Sequence, residues 1–259
     1  MKQTPVRPKK HLGQHFLTDL NIAQNIVSLV GNGNTKNVLE VGPGMGVLTQ
    51  YLLEDTSLNL SVAEIDTESV EYLKTQFRML DGKIYEEDFL KMDLKSKFNE
   101  QVLIVGNFPY NISSQIFFKV LEFRDIIPQV VGMVQKEVGQ RICEKEGSKI
   151  YGILSVLLQA FYDVSYEFTV HENVFNPPPK VKSAVIKLNR KPDFALDCNE
   201  KLFFSVVKQA FGQRRKTLRN SLKSLTPEAV KHKAVFDKRP EQLSVEAFLE
   251  LTNLINKGG

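Results

Sequence analysis

Over the first two thirds of the chain, short apolar runs alternate with longer amphipathic stretches. Residues 37–41 predict a first strand, 58–64 a second, 83–87 a third, 103–106 a fourth and 129–135 a fifth, with helical patterns between them. That alternation predicts βαβ units around a parallel sheet, an α/β class of fold. Residues 159–169 and 184–188 predict two more strands, connected through the Pro-rich stretch Phe175-Asn176-Pro177-Pro178-Pro179. No long helical pattern separates them, so this last pair is expected to be antiparallel. Near Arg190-Lys191-Pro192 the pattern changes to helical periodicity alone. Leu202, Phe203, Val206, Val207, Ala210 and Phe211 fall on one stripe. The expected organisation is a sheet-built domain over residues 1–190 and a small all-helical domain over 191–259.

In open α/β sheets, ligands bind in the crevice outside the carboxyl ends of the strands. Four of the predicted strand ends carry chemistry. After the first comes Glu40-Val41-Gly42-Pro43-Gly44-Met45-Gly46, opening a helix expected over 47–53. Its glycines allow a tight turn and close backbone approach, and the helix start offers N–H groups to an anion. The G-x-G-x-G spacing departs from the G-x-G-x-x-G of dinucleotide binders. An acid two residues before the first glycine is more typical of S-adenosylmethionine sites. Glu64 closes the second strand, where a carboxylate can accept both hydroxyls of a ribose. Asp88-Phe89 closes the third, where a carboxylate can take a hydrogen bond from an adenine amine and a ring can pack on the base. Each acid alone is about as readily a solvated strand end; the coincidence of all four is what points to a nucleoside cofactor.

The fourth strand runs into Gly106 and then Asn107-Phe108-Pro109-Tyr110. The Asn107 amide oxygen and the Phe108 or Pro109 carbonyl can accept hydrogen bonds from an exocyclic amine. Tyr110 offers a ring face to a base. A strand-to-helix turn would use Asn and Pro as well, but the position after a buried strand favours chemistry.

Composition narrows the partners. The 259 residues are 42% hydrophobic, enough for a sizeable core, and no run approaches a membrane span or the apolar stretch of a signal peptide. The two cysteines, Cys143 and Cys198, stand far apart, and the four histidines form no ligand set, so a reduced, cytoplasmic protein without a metal is expected. Net charge is only +4, yet it is unevenly spread. Lys2, Arg7, Lys9 and Lys10 occur in the first eighteen residues with no acid, and seven basic residues lie between Lys201 and Pro227, again with none. One such cluster is ordinarily a solvated helix face; two suggest a polyanion, and nucleic acid before others.

The chain resembles the small-subunit ribosomal RNA adenine dimethyltransferases over nearly its whole length. The carrying residues are Gln14-His15-Phe16-Leu17, Glu40 to Gly46, Glu64-Ile65-Asp66, Asp88-Phe89, Asn107 to Ser114, Phe175 to Ser183, and Phe211 to Leu222. The resemblance implies a Rossmann-like class I methyltransferase sheet with a helical domain that docks rRNA. It implies S-adenosylmethionine as cofactor, and N6,N6-dimethylation of two adjacent adenosines near the 3′ end of small-subunit rRNA. The substrate would be met in an assembling 30S particle, with the enzyme acting as a monomer. His15 and Leu17 are implied in covering the cofactor, alongside Gly42, Gly44, Glu64, Asp88, Phe89 and Asn107. Phe175 is implied as a second ring against the base, with Asn107, Pro109 and Tyr110 at the reacting amine. Arg214, Arg215, Lys216 and Arg219 are implied in holding RNA. His15 stands where the family usually has Asn, and Phe108 where Leu or Ile is usual; the latter change is expected to matter little.

Three other readings compete. A large-subunit rRNA methyltransferase of the macrolide-resistance type shares the fold and the Asn-x-Pro-Tyr/Phe loop, but the segments at Phe175 and Gln213 favour the small-subunit family. A DNA adenine methyltransferase is disfavoured on the same ground. A non-catalytic ribosome-assembly factor would not need Asn107, Glu64 and Asp88 intact.

Overall fold

The computed structural model describes residues 6–31 and 34–258; Lys2 of the basic N-terminal segment lies outside them. Residue contacts divide the chain into two compact units. One comprises residues 1–139 and 165–190, the other 140–164 and 191–259. The chain therefore passes between units three times, and the single break expected after residue 190 is one of those crossings.

The first unit is built on a sheet. Its strands are β1 (Phe16–Leu17), β2 (Asn37–Val41), β3 (Asn59–Ala63), β4 (Ile84–Tyr85), β5 (Val102–Asn107), β6 (Gln129–Gln135), β7 (Tyr162–Val170), β8 (Phe175–Asn176) and β9 (Ser183–Arg190), with β7 entering from the other unit. Seven of them line up in the order β4-β3-β2-β5-β6-β9-β7. Neighbours from β4 to β6 are parallel, and β9 runs antiparallel to β6. From the central β2 the chain winds outward to β3 and β4 on one side, and through β5 to β6 on the other. The carboxyl ends of β2 and β5 thus form the switch point where a crevice opens.

Helices α1 (Leu20–Val27), α2 (Thr49–Leu52), α3 (Thr67–Gln76), α4 (Leu94–Lys97) and α5 (Ser113–Glu122) belong to this unit. Val38, Leu60, Val62, Leu103, Val105, Val131, Met133 and Val185 share a core with Ala23 and Ile26 of α1, Leu52 of α2 and Leu73 of α3. The alternate positions Leu39, Val41, Ile104, Val130, Val134 and Ile186 are buried too, as a sheet covered on both faces requires. That double burial explains why the strands read as unbroken apolar runs. Asp66 starts α3 by accepting the Glu68 amide hydrogen, an N-cap that also fixes where β3 ends.

The second unit is helical, with α7 (Ile153–Phe161), α8 (Glu200–Gly212), α9 (Leu218–Ser221) and α10 (Val245–Gly258); α6 (Lys136–Cys143) spans the division between units. The α8 stripe Phe203, Val206, Val207 and Ala210 is buried as its spacing predicts. Phe211 meets Tyr151 at 6.1 Å and Phe248 at 5.9 Å between ring centroids. Three expectations are corrected here. Residues 159–161 end α7 and the strand starts only at Tyr162, because α7 is buried nearly all round and its apolar run carries no helical stripe. The helix expected over 47–53 shrinks to α2, with residues before it in a turn. The stretch at Phe175 is partly a strand, pairing β8 antiparallel to β1. No helix among the described residues is long and apolar enough to cross a membrane.

One packing contact positions the loop after β5. The Phe108 ring is fully buried and lies against Gly106 and Gly132. A Cβ at Gly132 would stand 2.4 Å from Phe108 Cε2, and one at Gly106 would stand 2.5 Å from the Val41 carbonyl oxygen. The Phe108 amide also donates to the Met133 carbonyl at 3.0 Å. The aromatic ring at this position is therefore matched by two glycines on neighbouring strands, which corrects the expectation that its identity matters little. Gly132→Ala should destabilise the protein by about 1–3 kcal/mol through overpacking. Adding Phe108→Leu should recover much of that loss. Urea denaturation of the single and double variants measures both; a fully stable Gly132→Ala would show that the ring has room to move.

Candidate active site

The carboxyl ends of β2, β3, β4 and β5 surround one cavity of about 190 Å³, which carries Gly42, Gly44, Glu64, Asp88, Phe89, Asn107, Pro109 and Tyr110 on its wall. The segment from His11 to Phe16 forms another part of that wall. The four strand-end motifs read from the sequence are thus brought together.

Glu64 is buried and has both carboxylate oxygens engaged by main-chain N–H groups, Oε2 by Gly44 at 3.1 Å and Oε1 by Asp66 at 2.9 Å. A carboxylate has about four acceptor sites, so roughly two remain for a ligand hydroxyl pair. Burial pushes the Glu64 carboxyl up, and the backbone amides of Asp66, Gly44 and Ile65 oppose that shift. Gly44 has φ +56°, and a Cβ there would meet the Phe16 ring at 2.7 Å. This loop amide consequently serves a protein carboxylate, which corrects the picture of a helix start waiting for an anion. Behind the loop, Glu40 is fully buried and accepts a 2.6 Å hydrogen bond from the Thr49 hydroxyl.

Asn107 is oriented by the N-terminal segment. Its side-chain nitrogen donates to the His15 carbonyl at 2.9 Å, so its amide oxygen is the end left to accept. The Pro109 carbonyl accepts the Ile112 amide hydrogen at 3.2 Å, which leaves the Phe108 carbonyl as the better second acceptor. Tyr110 is pinned at both ends. Its hydroxyl bonds to the Ser183 hydroxyl, and its ring stacks on His15 at 5.4 Å with a 28° interplanar angle. His15 Nδ1 in turn donates to the Pro177 carbonyl at 2.8 Å. The polar contact of this histidine is therefore with the Pro-rich stretch.

The N-terminal segment is fastened at Asp66. That carboxylate pairs with Lys9, receives Gln14 Nε2 at 3.3 Å and the Ser69 hydroxyl at 3.0 Å. Burial alone would raise the Asp66 carboxyl, but Lys9, Gln14 and Ser69 outweigh it and hold the group below its ordinary value. Sequence reading missed this anchor, although Asp66 follows Glu64 by two residues and its N-cap position was a usable signal.

Two expected residues lie elsewhere. Leu17 and Phe175 pair across β1 and β8 and sit in the apolar core, each 4% exposed; neither lines this cavity, and Leu17 lines an adjoining one that shares Phe16, Gly42 and Asn107 with it. Phe175 therefore presents no ring to the cavity in this conformation. Asp88 Oδ1 accepts the Leu90 amide hydrogen at 3.0 Å, which bends the segment so that Phe89 and Leu90 also line the wall.

In the helical unit, Arg215 and Lys216 are exposed, in the turn after α8. Arg214 donates to the Ser148 carbonyl at 3.2 Å. Arg219 grips Asp237 through Nε at 2.8 Å and Nη2 at 2.6 Å, so its guanidinium is a tie within the unit, where the sequence had suggested a free phosphate contact. The acid lies eighteen residues away, beyond the acid-free segment that prompted the expectation.

Fold and cavity define a Rossmann-like methyltransferase, and the chain belongs to the ribosomal RNA adenine dimethylase family, whose model matches residues 6–257. Among curated relatives, it is 61% identical to the ribosomal RNA small subunit methyltransferase A of Flavobacterium johnsoniae over 256 residues, covering 98% of each chain. It is 59% identical to that of Parabacteroides distasonis, covering 97% of this chain and 95% of the relative. Among solved structures, a dimethyladenosine transferase from Plasmodium falciparum superposes with a TM-score of 0.80 at 27% identity, covering 95% of this chain and 98% of that one. The 23S rRNA methyltransferase ErmE shares the fold, with a TM-score of 0.67 at 24% identity over 92% of this chain and 99% of its own.

Burial pushes the Glu40 carboxyl up to about 8, against an ordinary 4.5, with Thr49 opposing and Glu64 adding to the shift. Between those values the folded chain holds a proton that the unfolded chain releases. The stability this contributes is complete below pH 4.5 and is lost as pH rises through about 8. Glu40→Gln keeps an acceptor for Thr49 and removes the titration. Its stability in urea should fall less between pH 5 and 8.5 than that of the wild type, the residual slope coming from Glu64. Parallel curves for the two proteins would place the buried proton elsewhere.

Proposed function

We propose that this protein dimethylates N6 of two adjacent adenosines near the 3′ end of small-subunit rRNA, with S-adenosylmethionine as methyl donor. The observation that carries the reading is a single cavity holding a partly committed ribose-type carboxylate, Glu64, and the oriented acceptor of Asn107. The residues fit such a donor. Glu64 has acceptor sites left for ribose hydroxyls, Asp88 Oδ2 faces the Lys91 ammonium only at 4.0 Å and can take an exocyclic amine, and Gly42 lines the cavity without a side chain. When bound, S-adenosylmethionine supplies an electrophilic methyl group on a sulfonium.

The chain's own residues do the rest. The amine of adenine is a weak nucleophile because its lone pair is delocalised into the ring. Asn107 Oδ1 and the Phe108 carbonyl accept its two N–H bonds and favour a pyramidal nitrogen with the lone pair directed at the methyl. Tyr110, fixed by Ser183 and His15, supplies a rigid edge against which an unpaired or flipped base is held. No strong base is needed, since the nitrogen proton becomes acidic once the new bond forms. Catalysis here is positioning plus electrostatics. After the first transfer one N–H remains, and a single acceptor suffices to orient it. Asn107→Ala should lower turnover by roughly 10²–10³, the usual cost of one preorganised partner. Methylation of small subunits lacking the modification, with labelled donor and mapping of the methylated base, checks both rate and site; a loss under tenfold would move the acceptor role elsewhere.

The enzyme is taken to act as a monomer in the cytoplasm, on rRNA in an assembling small subunit, with the helical unit holding phosphates. Arg215 and Lys216 are the exposed candidates, supported by Arg214. Phosphate contacts set register without reading bases and weaken steeply with salt. Arg215→Ala with Lys216→Ala should lower affinity for the small subunit and flatten its salt dependence, leaving S-adenosylmethionine binding intact. Filter binding across a salt series reads this directly, and an unchanged slope would assign the docking surface to other residues.

A further inference from the structure

Lys119 stands apart from the residues above because it is a cation in the core. It sits in α5, 7% exposed, and it is not part of the cavity wall. Its ammonium donates to the Leu90 carbonyl at 3.2 Å. It also lies over two aromatic rings, 4.8 Å from the Phe123 centroid and 5.7 Å from that of Phe89. Phe89 and Leu90, by contrast, do line the cavity, and the Asp88 turn holds them there. A buried ammonium with one carbonyl partner costs free energy unless it does something for its surroundings. The hydrogen bond and the two ring contacts of this ammonium go to the Asp88–Leu90 segment and to Phe123 at the end of its own helix.

We propose that Lys119 is a positioning residue for the cofactor's purine, holding Leu90 by its carbonyl and Phe89 by its ring so that the Asp88 segment is set before the nucleoside arrives. The proposal rests on the S-adenosylmethionine reading of the cavity. A cation on one side of the Phe89 ring draws density from its π system and strengthens its packing with an electron-rich base on the other. The carbonyl bond fixes the height of the segment, and with it the direction of the Asp88 carboxylate. Burial lowers the Lys119 ammonium from its ordinary value, while Glu122, Asp93, Asp88 and Glu87 act in the opposite direction and favour its charge. The acids that keep Lys119 charged thus include the one assigned to the purine amine.

The test separates positioning from plain structure, because the two roles move stability and affinity differently. Lys119→Met replaces a buried cation by an apolar chain of similar length, which trades one hydrogen bond to a carbonyl for removal of the cost of desolvating an ammonium. In the full-length protein its melting temperature should equal or exceed that of the wild type. Its dissociation constant for S-adenosylhomocysteine, by calorimetry, should rise about three- to thirtyfold, the range from an exposed to a desolvated cation–π contact. Turnover on small subunits at saturating S-adenosylmethionine should stay within about twofold, and Lys119→Arg should regain most of the affinity. Wild-type affinity in a folded Lys119→Met overturns the role, as does a parallel fall of melting temperature and affinity. Absence of S-adenosylhomocysteine binding in the wild type would overturn the cofactor reading itself, and this role with it.

Discussion

The seat of Phe108 between Gly106 and Gly132 is the constraint from which the site follows. Two strands give up their side chains at those points, and the ring takes the space, with its edge on Phe117 at 6.0 Å. An interior packed to crystal density transmits such a fit directly to the backbone. The residue before Phe108 is Asn107 and the two after it are Pro109 and Tyr110. The side chains of Asn107 and Tyr110 and the Phe108 carbonyl are therefore positioned by an apolar contact of the Phe108 ring.

The second support is a chain of buried acids with assigned donors. Glu40 takes Thr49, Glu64 takes the amides of Gly44 and Asp66, and Asp66 takes Lys9, Gln14 and Ser69. Each link joins a different segment to the crevice: the Gly-rich turn, the start of α3, and the N-terminal stretch. Buried acids satisfied in this way specify one arrangement, because any slip would leave a polar group unpaired at low dielectric. The N-terminal stretch then closes the circuit through His15, whose carbonyl orients Asn107 and whose ring meets Tyr110.

Much of this was legible in the sequence, and the reasons for the rest are physical. Strands β2, β5 and β6 announced themselves as apolar runs because both sheet faces are covered, and their ends were legible because Gly42, the Asn107-Phe108-Pro109 turn and Gln135-Lys136 break those runs. β1 and β8 are two residues long and carry no period to detect. The end of α7 was read as strand because helices buried all round lose the polar stripe that identifies them. Phe175 was placed at the site by resemblance, whereas its own apolar character put it beside Leu17 in the core. Arg219 looked free because its partner, Asp237, is distant along the chain. Lys119 carries no signal in the sequence, since only three-dimensional packing shows that it is buried.

Charge divides the two units by task under the proposed reading. The cavity wall and the region just behind it carry the acids Glu64, Asp66 and Asp88, with Lys9 already committed to Asp66, while Glu40 keeps its proton up to about pH 8. The helical unit carries the acid-free segment from Lys201 to Pro227. Phosphates are attracted to the second and disfavoured near the first, since like charges in a partly desolvated pocket repel strongly. What the cavity admits at low cost is a cationic donor and a neutral base. Under that reading a neutral adenine base can enter the crevice while its own phosphates stay outside it. Specificity for an unpaired base then follows from electrostatics before any hydrogen bond to its edge is made.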